Sequence, residues 1–113
     1  MGGVGGTVAR AAGELVSKKL RIRPEAQREI EEAYDHYRAE SPSAAHGFLA
    51  EVGHAFQRIA ARPGLYPTCA KKCRRCNLRR FAYFVVYREK EDAILIVAVA
   101  HAKRRPGYWK RRA

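Results

Sequence analysis

Phe81-Ala82-Tyr83-Phe84-Val85-Val86-Tyr87 and Ala93-Ile94-Leu95-Ile96-Val97-Ala98-Val99-Ala100-His101, separated by the charged turn Glu89-Lys90-Glu91-Asp92, decide the fold. Both runs are apolar at successive rather than alternate positions, which a strand sustains only where both of its faces are covered. They are expected to be central strands, roughly Phe81 to Glu89 and Ala93 to His101, roofed on one side by helices and on the other by the tail or a partner. That tail, His101-Ala102-Lys103-Arg104-Arg105-Pro106-Gly107-Tyr108-Trp109-Lys110-Arg111-Arg112, has six Lys or Arg and no carboxylate. Such a segment reads as an anion-facing surface.

Upstream, Lys19-Leu20-Arg21-Ile22-Arg23 alternates charge with apolar side chains, as a short half-buried strand does. Pro24 ends it and suits the first turn of a helix, where its missing N–H costs nothing. Ala26, Ile30, Ala33, Tyr34 and Tyr37 then form a helical stripe reaching about Glu40. Ser41-Pro42-Ser43 interrupts it, and Ala45, Phe48, Leu49, Val52, Ala55, Phe56 and Ile59 form a second stripe that stops at Pro63-Gly64. So short a link makes the two helices a hairpin. A basic loop and a further strand, roughly Arg74 to Arg79, lead back to the decisive runs. The expected class is α+β, a helical hairpin packed on a small, mostly antiparallel sheet in the order β-α-α-β-β-β.

At 113 residues the chain fits one domain, 17–113, preceded by residues 1–16, which are expected to be a flexible extension. Met1-Gly2-Gly3-Val4-Gly5-Gly6 has neither a signal-peptide pattern nor dinucleotide-binding glycine spacing. No run approaches the roughly 18 to 20 apolar residues of a membrane span, so a cytoplasmic protein with no membrane partner is expected. The net charge of +12 is uneven: residues 1–61 hold eight Lys or Arg against eight Asp or Glu, and residues 62–113 hold fifteen against three. One-sided charge favours a polyanionic partner, either nucleic acid or an acidic protein, and speeds encounter with it.

The order of these motifs carries a resemblance. Ile22-Arg23-Pro24-Glu25-Ala26 opening a helix, Phe48 and Val52 in the next, Arg79-Arg80-Phe81-Ala82-Tyr83 entering a Val-Val-Tyr strand, and Ile96-Val97-Ala98-Val99-Ala100-His101 leading to Arg104-Arg105-Pro106-Gly107-Tyr108-Trp109 together resemble the RelE/ParE superfamily of type II toxins. The likeness covers residues 19–112. Ala82 stands where the family usually has Pro. The His and Tyr-Trp of the tail look closer to the ParE-like, plasmid-stabilisation branch than to the ribosome-dependent RelE ribonucleases.

The resemblance implies a growth-inhibiting toxin held silent by a cognate antitoxin. ParE-like members poison DNA gyrase, whereas RelE-like members cut messenger RNA on the ribosome. In the gyrase reading the target-binding surface is Arg79, Arg80, Lys103, Arg104, Arg105, Tyr108 and Trp109. In the ribonuclease reading the same cations meet phosphate, Tyr108 and Trp109 stack on an unpaired base, and His101, Arg105 and Tyr108 are the catalytic set. Trp109 can equally be a core lid over the sheet, since burying so large a ring is stabilising. His101, with an ordinary pKa of about 6.5, is the group suited to proton transfer near neutrality. By strict alternation it shares a strand face with Leu95, Val97 and Val99, which also allows a structural role. Neither reading calls for a metal or other cofactor.

Cys69-Ala70-Lys71-Lys72-Cys73-Arg74-Arg75-Cys76 has the Cys-x3-Cys-x2-Cys spacing of some iron–sulfur sites, but the chain is too short for the barrel such enzymes need. Zinc held by three thiolates and a histidine is the remaining metal reading. Free thiols are preferred, with neighbouring cations expected to lower their pKa and expose them to oxidation. Glu25, Glu29 and Glu32 share one face of the first helix, and His46 and His54 one side of the second. The carboxylate stripe is read as a solvated face, and neither group is assigned chemistry.

Overall fold

The computed structural model describes residues 18–113, so the extension expected over 1–16 lies outside the described residues. Strand β1 (Lys19–Ile22) leads into helix α1 (Pro24–Glu40), helix α2 (Pro42–Ala61), strand β2 (Arg74–Asn77), strand β3 (Tyr83–Glu89) and strand β4 (Ala93–His101). The order β-α-α-β-β-β is the one expected. Ser41 alone separates the helices: its N–H closes α1 on Tyr37 O at 2.9 Å, and its hydroxyl accepts from Ala44 N at 3.0 Å. With Ser41 as cap and Pro42 in the first turn, α2 begins earlier than its apolar stripe does.

The sheet order is β1-β4-β3-β2, with β1 parallel to β4 and the other pairs antiparallel. The helices cover one face through Ala26, Ile30, Phe48, Val52 and Ile59, which meet Val85, Tyr87, Ile94, Ile96 and Val99. Beneath the other face Cys73, Val86, Val97, Ala98 and Trp109 form a second core. The fully apolar strands are therefore roofed twice, and the tail supplies part of the second roof.

Three expectations need correction. The first two are strand ends: β2 stops at Asn77 instead of Arg79, and β3 starts at Tyr83 instead of Phe81. Glu51 of α2 takes the backbone N–H groups of Arg79 and Arg80 at 2.8 and 3.3 Å, which diverts that segment from strand pairing. The Phe81 ring instead packs edge-on to Tyr37 and Phe48. The third concerns parity. Val86 pairs with Ala98 and Tyr87 with Ile96, so Val97 is an extra, bulged residue. Val97 and Ala98 both join the tail-side core, while Val99 returns to the helix side. His101 follows Val99 and parts from Leu95 and Val97.

A candidate functional site at the C-terminal tail

β1 pairs with β4 only as far as Ile22 and Ile96, and Arg23 N donates the last bond to Ile96 O at 3.0 Å. Beyond that point the chain turns into α1 and leaves the edge of β4 without a strand partner. Side chains complete it. Glu29 Oε1 accepts from Val99 N at 3.0 Å, and Arg112 Nη1 donates to Val97 O at 3.3 Å. The two side chains also pair with each other at 3.0 Å. An unpaired buried amide or carbonyl is costly, so this substitution for β1 anchors the tail as well as the strand.

The other oxygen of Glu29 serves the tail directly. Tyr108 donates its hydroxyl proton to Oε2 at 2.6 Å, and Arg104 lies 3.9 Å from the same atom. The Tyr108 ring is flanked by the guanidinium of Arg104, 3.7 Å from its centroid, and that of Arg112 at 5.1 Å. Cation–π contact of this kind is strongest where water is displaced. Burial, then the bond to and charge of Glu29, push the Tyr108 phenol well above its ordinary pKa, and the two arginines offset this only in part. Tyr108 is thus a held donor with two guanidinium groups against its ring. Trp109, for which a target-facing ring and a lid over the sheet were both expectations, is the lid: it is 4% exposed within the tail-side core and offers no open ring for stacking. Between Pro106 and these residues Gly107 adopts a φ of +75°, a turn that L side chains rarely make.

Glu29, expected on a solvated carboxylate stripe, points inward instead. It stands three residues after Ala26 and four before Ala33, inside the apolar stripe, which is the signal that it points inward. Its side chain is 10% exposed. A buried carboxylate needs donors on most of its lone pairs, and here an amide, a phenol and an arginine supply them.

His101 opens onto a cleft of about 330 Å³ shared with Glu32, His36, Tyr83 and Arg104. Its ring stands edge-on to Tyr83 with centroids 5.0 Å apart, and Nδ1 accepts from Lys103 N at 3.0 Å, which places the ring proton of the neutral form on Nε2. Lys103, Arg104 and Arg105 are exposed around this mouth. Arg79 and Arg80 are also exposed, but Arg80 is tied to Glu51 at 2.9 Å. Of the sequence-derived residues, His101, Lys103, Arg104 and Tyr108 share one neighbourhood, with Arg105 following in the chain. Arg79 and Arg80 belong to the β2–β3 connection.

The thiols do not converge. Cys73 is buried in the tail-side core and Cys76 in the helix-side core, on opposite faces of the sheet edge. Among the described residues no group of three or more His, Cys, Asp or Glu side chains is placed to hold a metal ion. Burial raises the Cys73 thiol to about 11 and also raises Cys69, with Arg75 opposing the latter only in part. The expectation of cation-activated thiolates is overturned for both, because desolvation outweighs the nearby charge.

The chain thus sets a two-helix cap on a four-stranded sheet, with a cationic tail locked beneath it. The chain matches the family profile described as ParE toxin of type II toxin-antitoxin system, parDE, over residues 20–106, and it belongs to that family. It is 28% identical over 92 residues to Toxin ParE2 of Mycobacterium tuberculosis, in two strains, spanning 80% of this chain and 88% of the relative. A chain of the chromosomal ParDE TA system from P. aeruginosa superposes with a TM-score of 0.68 at 18% identity, covering 75% of this chain and 96% of that one, a likeness of fold.

Proposed function

We propose that this ParE-family toxin arrests bacterial growth by binding DNA gyrase as a stoichiometric inhibitor, and that a cognate antitoxin neutralises it by covering the tail and its surroundings. The observation that carries the reading is the commitment of Tyr108 to Glu29 at 2.6 Å. A ribonuclease built on His101, Arg105 and Tyr108 needs a phenol free to move a proton, and this one is engaged by a buried carboxylate. Binding needs only a fixed, charged surface, and Lys103, Arg104 and Arg105 present one on a tail anchored at both Tyr108 and Trp109. Among the described residues no helix is long and apolar enough to cross a membrane, which is compatible with action in the cytoplasm.

The test pairs two assays on the purified protein, gyrase supercoiling and message cleavage on programmed ribosomes. Loss of supercoiling with intact message supports the proposal. Specific message cuts that disappear in His101→Ala, with supercoiling untouched, would transfer the chain to the ribonuclease reading.

A further inference from the structure

A second concentration of positive charge sits at the β2 edge, on groups that the tail does not use. Arg58 of α2, Arg75 of β2 and Arg79 line a cleft of about 370 Å³ together with Tyr66, Pro67 and Asn77. No carboxylate lines it, and none of these three guanidiniums is in a salt bridge among the described residues. Glu51, which meets the Arg79 backbone, spends its charge on Arg80.

Three like charges around one cleft repel, so their convergence requires a scaffold. Asn77 provides it with both of its acceptors. Its backbone oxygen takes Arg58 Nη2 at 3.4 Å, and its side-chain Oδ1 takes Arg75 Nε at 3.0 Å. Arg75 is braced further by the Phe84 ring, whose centroid lies 3.7 Å from the guanidinium carbon. Neutral partners therefore orient two cations without cancelling either. Among the described residues the Arg75 guanidinium is hydrogen-bonded through Nε alone, which leaves both Nη groups of its fork for a bidentate anion such as phosphate.

The charge also continues past the cleft. Arg75 lines an adjoining cleft of about 260 Å³ with Phe84, Pro106, Trp109 and Lys110. Two open clefts sharing one arginine suit consecutive phosphates of a chain better than a single small ion.

We propose that Arg58, Arg75 and Arg79 at the β2 edge, the first two braced by Asn77, grip the phosphate backbone of a nucleic-acid strand, without reading its sequence. This goes beyond gyrase capture and does not depend on it, since a toxin that fails to inhibit gyrase would still carry the cleft.

The experiment is fluorescence anisotropy of a labelled single-stranded oligodeoxynucleotide of about 20 nucleotides titrated with the full chain. Arg75→Gln combined with Arg79→Gln is expected to weaken binding about tenfold and to lower the slope of log affinity against log salt by about one to two. Asn77→Asp keeps both acceptors but sets a negative charge between Arg58 and Arg75, and is expected to cause a comparable loss without removing an arginine. Arg21→Gln with Arg38→Gln removes the same charge from β1 and α1 and is expected to change affinity by less than about twofold. Equal losses from both arginine pairs would overturn the proposal by reducing it to net charge. Release of the oligonucleotide by inorganic pyrophosphate at matched phosphate concentration would also overturn it, marking a small-anion site instead.

Discussion

The Tyr108 hydroxyl donates to Glu29 Oε2 at 2.6 Å, joining the first helix to the tail across a sequence separation of 79 residues. Because Glu29 Oε1 also takes Val99 N and pairs with Arg112, one carboxylate ties helix, central strand and C-terminus together. The placement of the tail is thus a tertiary property, set by a residue outside it.

Removing that carboxylate should loosen the tail first. Glu29→Ala leaves the Val99 amide and the partly buried Arg112 without their partner, at a cost of about 3 to 5 kcal/mol. Glu29→Gln retains an acceptor and should cost about 1 to 2 kcal/mol. Urea unfolding followed through Trp109, the only tryptophan, checks both. Trp109 emission should shift to the red in Glu29→Ala at urea concentrations that leave helical circular dichroism intact. A variant as stable as the parent would contradict the arrangement.

The raised phenols give a pH signature on the alkaline side. Burial lifts Tyr87 to about 12, with Arg74 opposing, and Tyr108 is raised for the reasons given above. A group that holds its proton more tightly when folded contributes stability that is complete below its unfolded pKa of about 10 and is lost as pH climbs toward the folded value. Stability should therefore fall above about pH 10. In Tyr108→Phe the fall should be shallower, and phenolate absorbance should show one late-titrating tyrosine fewer. An unchanged alkaline limb would show that Tyr108 is not held.

Thiol chemistry gives the third expectation. At neutral pH a disulfide reagent should modify the half-buried Cys69 slowly and leave the buried Cys73 and Cys76 untouched until the protein is denatured. A chelator should leave the melting temperature unchanged, because Cys73 and Cys76 bury on opposite faces. Immediate reaction of all three thiols, or melting on chelation, would contradict this.

The helices and β4 were legible because each is written in its own neighbourhood: apolar spacing of three and four in α1 and α2, and an unbroken apolar run from Ala93 to Val99. What escaped is information held between distant segments. The Val97 bulge depends on pairing with Val86 and Tyr87, and it alone decides which face His101 joins. The early end of β2 depends on Glu51 reaching two amides from another element. Glu29 looked like one member of a charged stripe because its partners lie in β4 and the tail. For Trp109 the basic neighbours and the large ring left a recognition group and a core lid equally open, and only the uncovered second face of the sheet decides for the lid.

On the proposed function the locked cationic tail acts by binding gyrase. The most direct measurement is gyrase supercoiling of relaxed plasmid against rising concentrations of the purified toxin, with and without an equimolar cognate antitoxin. Inhibition should rise with toxin and be abolished by antitoxin, and it should weaken when Lys103, Arg104 and Arg105 are replaced together by Gln. Undiminished supercoiling at toxin concentrations well above that of gyrase would rule gyrase out as the target.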